Sequence, residues 1–359
     1  MLIVPERLIA ELVSPADAFT AIEACFSAMA RGEAYNFPVV REALGEGRQY
    51  GFKSGLDRAG ASLGVKAGGY FPGNMARGMI NHQSSVFLFD PESGRPLAMV
   101  GGNLLTALRT AAASAISIDR LARKDARVLG MVGAGHQAGF QLRAAARARK
   151  FERVVAWNLH PEMLPTLGAI AAELGLPFEA VSLAELGAAA DVIITITSSD
   201  KASLLDEYVK AGTHLACMGT DTVGKQEVEP ALLARARVFT DEVAQSISIG
   251  EAQHAVRMGL ISGADITPLG DVLTGALPGR RSEDQITLFD GTGVGLQDLA
   301  VAGLRFCGRG SVVWGLRWRC NTCVTKGKIL IFIGNVISFN QILTSVSRNK
   351  ATLCIGYKF

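Results

Sequence analysis

A doubly wound α/β fold, with a parallel sheet preceded by a smaller α+β region, is the class this sequence predicts, on three observations. Residues 127 to 158 run strand, glycine turn, helix and second strand around Gly133-Ala-Gly135-His-Gln-Ala138, a G-x-G-x-x-A. Short apolar runs at 128–132, 153–157, 191–196, 214–218, 236–240 and 286–289 alternate with helical stretches at 136–149, 161–174, 201–210 and 229–235, the pattern of a parallel sheet. Before residue 120 that alternation is missing, and a capped helix, a hairpin and a long Ala-rich helix stand in its place.

Taken in order, Ser14-Pro15-Ala16-Asp17 starts a helix, with Ser as N-cap, Pro at the first helical position and an acid three residues after the cap. Phe19, Ile22, Phe26 and Met29 then recur at helical spacing until Gly32. The apolar runs Ser85 to Asp90 and Pro96 to Val100, joined by Pro91-Glu-Ser-Gly94, read as a hairpin. A helical pattern from about Leu104 to Leu121 leads into the glycine turn. There Gly133 permits the tight turn, Gly135 lets the backbone approach a pyrophosphate, and Ala138 lets the following helix pack close, its free N–H groups facing the phosphates. The second strand ends at Asn158, 25 residues after Gly133, where a dinucleotide's ribose is bound. A Rossmann-type domain for NAD or NADP follows from this context. The organisation expected is a substrate-binding and dimerisation region at 1–119, a dinucleotide-binding region at 120–302, and a tail at 303–359.

Composition excludes several classes. Pro5, Glu6 and Arg7 interrupt the N-terminus, so a secretory signal is not expected. No apolar stretch reaches the roughly 20 residues that span a bilayer, and Ile329 to Ile337 is broken by Gly334 and Asn335. The five histidines show no metal-ligand spacing, so no metal is expected. Neither a nucleic-acid nor a membrane partner is indicated. Isolated Cys25 and Cys217 suit a reducing cytoplasm. After Asp298 nine of the 36 basic residues occur and none of the 33 acidic ones, along with four of the six cysteines. A frame-shifted or read-through end would have this composition; a basic appendage for an anionic partner is the alternative. Cys320-Asn-Thr-Cys323 has no second pair nearby, which leaves it a weak zinc or redox signal.

Five separated motifs occur in order: Asn81-His82-Gln83-Ser84-Ser85, Leu105-Thr106-Ala107-Leu108-Arg109-Thr110, the glycine turn, Gly219-Thr-Asp221-Thr-Val-Gly-Lys225-Gln-Glu227, and Phe289-Asp-Gly-Thr-Gly293 with Gln297-Asp298. As a set they resemble the ornithine cyclodeaminase/mu-crystallin family from about residue 36 to 302. The resemblance implies a homodimer whose Rossmann domain is inserted before the chain returns to the first domain. It also implies that Arg41, Lys66 and Arg109 clamp a substrate carboxylate, with Arg109 also able to reach a cofactor phosphate. Asp221 matches the acid/base on the substrate nitrogen, and its presence favours an enzyme over a crystallin-like binder of NADPH. Ser85, Thr110, Gly133, Gly135, His136, Gln137, Asn158, Lys225 and Thr292 complete the expected cofactor set. Asn158 stands where an acid would select NAD, so neither NAD nor NADP is chosen. The family tail pattern fades near Gly303, which puts dimer integrity in question.

Cyclodeaminases of this family carry a Glu 13 residues before the clamp lysine, and this chain has Lys53 there. A cation at that place repels an ornithine ammonium. The expectation is therefore reduction of a small cyclic imino acid such as Δ1-pyrroline-2-carboxylate to proline, with Asp221 stabilising or supplying the imine proton and Lys66 beside it. Ornithine cyclodeamination and alanine dehydrogenation are the alternatives.

Overall fold

The computed structural model describes residues 1–304 and the short strand Leu316–Arg317, which pairs antiparallel with the first strand. The Cys320/Cys323 pair and the remainder of the basic segment lie outside the described residues.

Residues Leu2–Val4 (β1), Ala34–Asn36 (β2), Val40–Gly45 (β3), Arg48–Asp57 (β4), Ser62–Tyr70 (β5), His82–Phe89 (β6) and Pro96–Gly101 (β7) form one sheet in the order β1-β7-β6-β5-β4-β2, with β3 also on β4. Only β1 on β7 is parallel among these pairs. The expected hairpin is β6–β7, and Asp90 folds back onto the N–H groups of Glu92 and Ser93 to make its turn. Helix α1 (Pro15–Ala30) starts in a complete capping box: Asp17 N–H donates to Ser14 Oγ at 3.1 Å while Ser14 N–H donates to Asp17 Oδ2 at 3.0 Å. Helix α2 (Asn103–Leu121) is capped from a distance instead, because Glu6 accepts the N–H groups of Asn103 at 3.1 Å and Leu104 at 2.6 Å. An anion at a helix N-terminus also suits the helix dipole. This cap fixes the helix that carries Arg109.

The second sheet is built from Val128–Val132 (β8), Arg153–Trp157 (β9), Phe178–Ala180 (β10), Val192–Thr195 (β11), His214–Cys217 (β13), Arg237–Thr240 (β15), Ile266–Pro268 (β16) and Thr287–Asp290 (β17), all parallel, in the order β10-β9-β8-β11-β13-β17-β15-β16. From β8 the chain moves outward to β9 and β10, then returns to β11 on the other side, which opens a crevice beyond the ends of β8 and β11. Helices cover both faces, so the central strands are short, buried and mostly apolar runs.

One expected element differs. The stretch 201–210 is not a helix but the strand Asp200–Leu204 (β12), paired with Gln226–Val228 (β14), followed by a single 3-10 turn at Asp206–Tyr208. Leu204, Leu205, Tyr208 and Val209 imitate a helical stripe, but the ladder to β14 takes the backbone of this segment. The last helix, α3 (Gly295–Gly303), belongs by number to the 120–302 segment yet packs on α1, β4 and β5, so the chain returns to the first sheet. No helix among the described residues is long and apolar enough to cross a membrane.

Candidate active site

The glycine turn leaves β8 at Val132. Gly133 has φ +109°, and a Cβ there would stand 2.7 Å from the Ile196 carbonyl, so only glycine closes this turn. At Gly135, which is exposed, a Cβ would meet nothing within 4 Å. The protein itself therefore leaves that space open. Ala138 is buried at the start of the next helix, Ala138–Ala148, and the buried Gln137 Oε1 has no partner among the described residues. An open approach to the backbone N–H groups at a helix N-terminus fits a dinucleotide pyrophosphate. Asn158 ties the turn to the end of β9: its Oδ1 accepts Ala134 N–H at 3.0 Å and its Nδ2 donates to the His160 carbonyl at 2.8 Å. Its side chain is thus spent on the turn. His136 is exposed, with its ring against Phe140.

Four cations gather where the first sheet meets the C-terminal ends of the second. Lys53 on β4 lies directly opposite Lys66 on β5, both buried and on the inner face. Lys66 Nζ donates to Thr106 Oγ1 at 2.7 Å and to Asp298 Oδ1 at 3.2 Å. Arg109 Nε reaches the same Oδ1 at 3.1 Å, and its Nη1 donates to Gln297 Oε1 at 2.9 Å. Burial of Asp298 would raise its pKa, but Arg109, Lys66 and Lys53 outweigh that and hold it below the usual carboxylate value. Among the described residues no carboxylate lies within ion-pair distance of Lys53; its Nζ donates to the carbonyls of Thr292 at 3.2 Å and Gly293 at 2.6 Å. Burial, then Arg41, Arg109 and Lys66, lowers its pKa to about 7, with Asp221 opposing. Lys66 is lowered to about 8, chiefly by burial, with Asp298 opposing. Neighbouring His82 is pushed down to about 3 by burial, Lys66 and Arg109, so it is neutral.

Asp221, in the loop after β13, faces this cluster. Arg41 Nη2 donates to its Oδ2 at 2.7 Å and Lys225 Nζ to its Oδ1 at 2.9 Å. Burial alone would raise its pKa, yet Lys225, Arg41 and Lys53 together hold it well below the ordinary value. At neutral pH it is an anion. Two buried acids fix its loop: Glu227 accepts from Thr195, Thr197 and Gly219, and Glu251 accepts from Thr220 and the N–H groups of Glu227 and Val228. Burial, then the neighbouring Glu227, pushes Glu251 up to about 8.

The structure thus brings together Arg41, Lys66, Arg109, Asp221 and Lys225 from the expected set. Others are committed elsewhere. Thr110 returns its hydroxyl to the Thr106 carbonyl at 2.7 Å, and Thr292 gives its hydroxyl to Asp241 at 2.7 Å. Ser85 pairs with Ala67, one residue out of phase with Lys66, so it lies on the other face of the sheet, whereas Ser84 shares the inner face with His82. Three working residues were outside the expected site: Lys53 as a member of the cluster, Asp298 as the carboxylate between two cations, and Asp241 behind Thr292. Asp298 stood in a quoted motif; Asp241 gave no signal beyond an acid just past an apolar run.

A two-sheet fold with a glycine-turn nucleotide crevice opposite a cationic cluster defines the class of a dinucleotide-dependent enzyme. The sequence profile of the ornithine cyclodeaminase/mu-crystallin family matches residues 4–305, and this chain belongs to that family. It is 64% identical over 303 residues to the iminosuccinate reductase of Paracoccus denitrificans (strain Pd 1222), covering 84% of this chain and 94% of that protein. The crystal structure of the iminosuccinate reductase of Paracoccus denitrificans in complex with NAD+ superposes with a TM-score of 0.81 at 63% identity, covering 85% of this chain and 94% of the other. An archaeal alanine dehydrogenase dimer with bound NAD superposes with a TM-score of 0.81 at 32% identity, with coverages of 85% and 94%.

Proposed function

We propose that this chain reduces a small α-imino dicarboxylate of the iminosuccinate type to the amino acid. The coarser reading is firm: it is an NAD(P)-dependent oxidoreductase of its family acting on C=N bonds. The observation that carries the finer one is the charge balance of the cluster. Asp298 sits between Lys66 and Arg109, and Asp221 between Arg41 and Lys225, while Lys53 rests on two carbonyls with no carboxylate within ion-pair distance among the described residues, so five cations face two carboxylates. A buried ammonium without an anionic partner is costly. A substrate with two carboxylates supplies that partner, one group on Lys66 and Arg109, the other toward Lys53. The cyclic imino acid expected from the sequence carries a single carboxylate. The 64% identity to an iminosuccinate reductase supports the same choice.

When bound at the glycine turn, NADH supplies the hydride. The residues of the chain do the rest. Lys66 and Arg109 hold the α-carboxylate, so that the imine carbon has one orientation. Asp221, already ionised, stabilises the protonated imine nitrogen as a counterion rather than handing it a proton. Its own clamp by Arg41 and Lys225 keeps that charge in place. Overall, imine, NADH and a proton give the amino acid and NAD+.

The test is NADH oxidation with oxaloacetate plus ammonium, which form the dicarboxylic imine in solution, beside Δ1-pyrroline-2-carboxylate, pyruvate plus ammonium, and ornithine with NAD. The dicarboxylic imine should give the highest kcat/KM; a preference for the cyclic imine would return the substrate to the monocarboxylic class. For the quaternary state we infer a homodimer through the outer face of the first sheet. Tyr50, Phe52 and Val40 are 38%, 43% and 44% exposed there, a neighbouring group of large apolar side chains that water does not favour. Phe52→Asp should yield monomers by light scattering.

A further inference from the structure

Just past β15, Asp241 lies buried at 4% exposure, 56 residues in sequence from Gln297 and outside the cation cluster it serves. Its two oxygens accept five hydrogen bonds, one of them from Thr240 Oγ1 to Oδ1 at 3.5 Å. Oδ1 takes Thr292 N–H at 3.1 Å and Thr292 Oγ1 at 2.7 Å; Oδ2 takes Gly293 N–H at 2.8 Å and Gln297 Nε2 at 3.0 Å. The Thr292–Gly293 turn and the Gln297 amide that Asp241 holds each meet a cation on their far side. The carbonyls of Thr292 and Gly293 seat Lys53, and Gln297 Oε1 receives Arg109.

We propose that Asp241 is a positioning residue for recognition of the substrate's carboxylates: through Gln297 and the Thr292–Gly293 turn it sets the aim of Arg109 and Lys53. This rests on the carboxylate role given to those two cations above. The physical reason is polarity. A carboxylate only accepts, so the end of the Gln297 amide facing it must be the NH2, and the carbonyl end is left for the guanidinium. With a donor at position 241 the amide turns over and presents NH2 to Arg109, which only donates. The same carboxylate holds the N–H side of the turn, so its carbonyls point out toward Lys53. At Gly293, moreover, a Cβ would stand 2.5 Å from Arg109 Nη1, so the turn and the guanidinium are in close contact and any lift of the turn is felt by both cations.

The experiment measures KM for the imino acid, kcat, and NADH affinity in Asp241→Asn, Gln297→Leu and the double variant. Each single change should raise the imino-acid KM by about tenfold, as expected for a lost hydrogen bond to a charged group, with NADH affinity unchanged. Because both act on Arg109 along one path, the double variant should be little worse than the worse single one. An imino-acid KM unaltered in Gln297→Leu, or fully additive effects in the double variant, would overturn the proposal. Should Asp241→Asn fail to bind NADH, the Gln297→Leu result decides alone, since it changes no buried charge. Arg109→Lys separates the two claims: if it leaves KM unchanged, the carboxylate role of Arg109 itself is lost, whereas a raised KM there with a normal Gln297→Leu enzyme rejects only the positioning by Asp241.

Discussion

In the second sheet the central strands are mostly apolar, with His214, Thr287 and Asp290 as buried exceptions, and the residues expected at the site stand beyond their C-terminal ends, Gly133 after β8, Asp221 after β13 and Thr292 after β17. In the first sheet the charges stand in mid-strand, Lys53 facing Lys66 across β4 and β5 on the buried side, while Tyr50 and Phe52 stand on the exposed side. The first arrangement holds a ligand with backbone groups and an open turn, which suits a cofactor shared by many enzymes. The second sinks cations into a core, which is tolerable only where fixed acceptors and an incoming anion meet them. We infer that cofactor binding falls to the second sheet and selection of the substrate's carboxylates to the first, with Asp221 serving the substrate from the second, and mutations should separate the two.

Gly135→Val gives the largest separation. The space at its Cβ is empty of protein, so the thermal midpoint should move little, while calorimetric titration should find no NADH binding. Retained affinity would mean that the turn is structural only. Next comes Asp221→Asn, which keeps the shape and removes the charge between Arg41 and Lys225. Turnover should fall by roughly 10² to 10⁴, the range of a lost acid/base or counterion, with NADH affinity unchanged. Lys66→Met is smaller and falls on the first sheet alone. The imino-acid KM should rise by about 10- to 100-fold, with NADH affinity intact, as the carboxylate loses one charged donor.

The legibility of the chain divides along the same line. Runs such as Val128–Val132 and most of Val192–Thr195 are apolar, so the parallel sheet and its glycine turn could be read directly, while the site residues at strand ends came from the family resemblance. Strands β4 and β5 could not, because Arg48–Asp57 and Ser62–Tyr70 interleave glycines and lysines with apolar residues, and the buried face is the more polar of the two. The usual alternation is inverted there. Lys53 was read from its spacing to Lys66 as a repelling charge, but its burial on two carbonyls needed the fold. Asp298 and Asp241 act across 189 and 51 residues of sequence, on Arg109 and Thr292, and no local pattern encodes such a bridge.

The pH dependence is the mildest effect expected. Lys53, lowered to about 7, binds a carboxylate only when protonated, so KM for a dicarboxylic imine should climb as pH rises through and above that value. Lys53→Gln should flatten the climb, and a monocarboxylic imine should show less of it in the unaltered enzyme. An identical profile for both substrates would remove Lys53 from recognition.

The division of labour between the sheets is tested most directly by one ratio, kcat/KM for the dicarboxylic imine over kcat/KM for Δ1-pyrroline-2-carboxylate, measured in the unaltered chain and in Lys53→Met at saturating NADH. The ratio should exceed unity in the unaltered chain and fall by at least about tenfold in the variant, through the loss of one charge-assisted contact, with the cyclic substrate little affected. A ratio that stays the same in Lys53→Met would contradict the account.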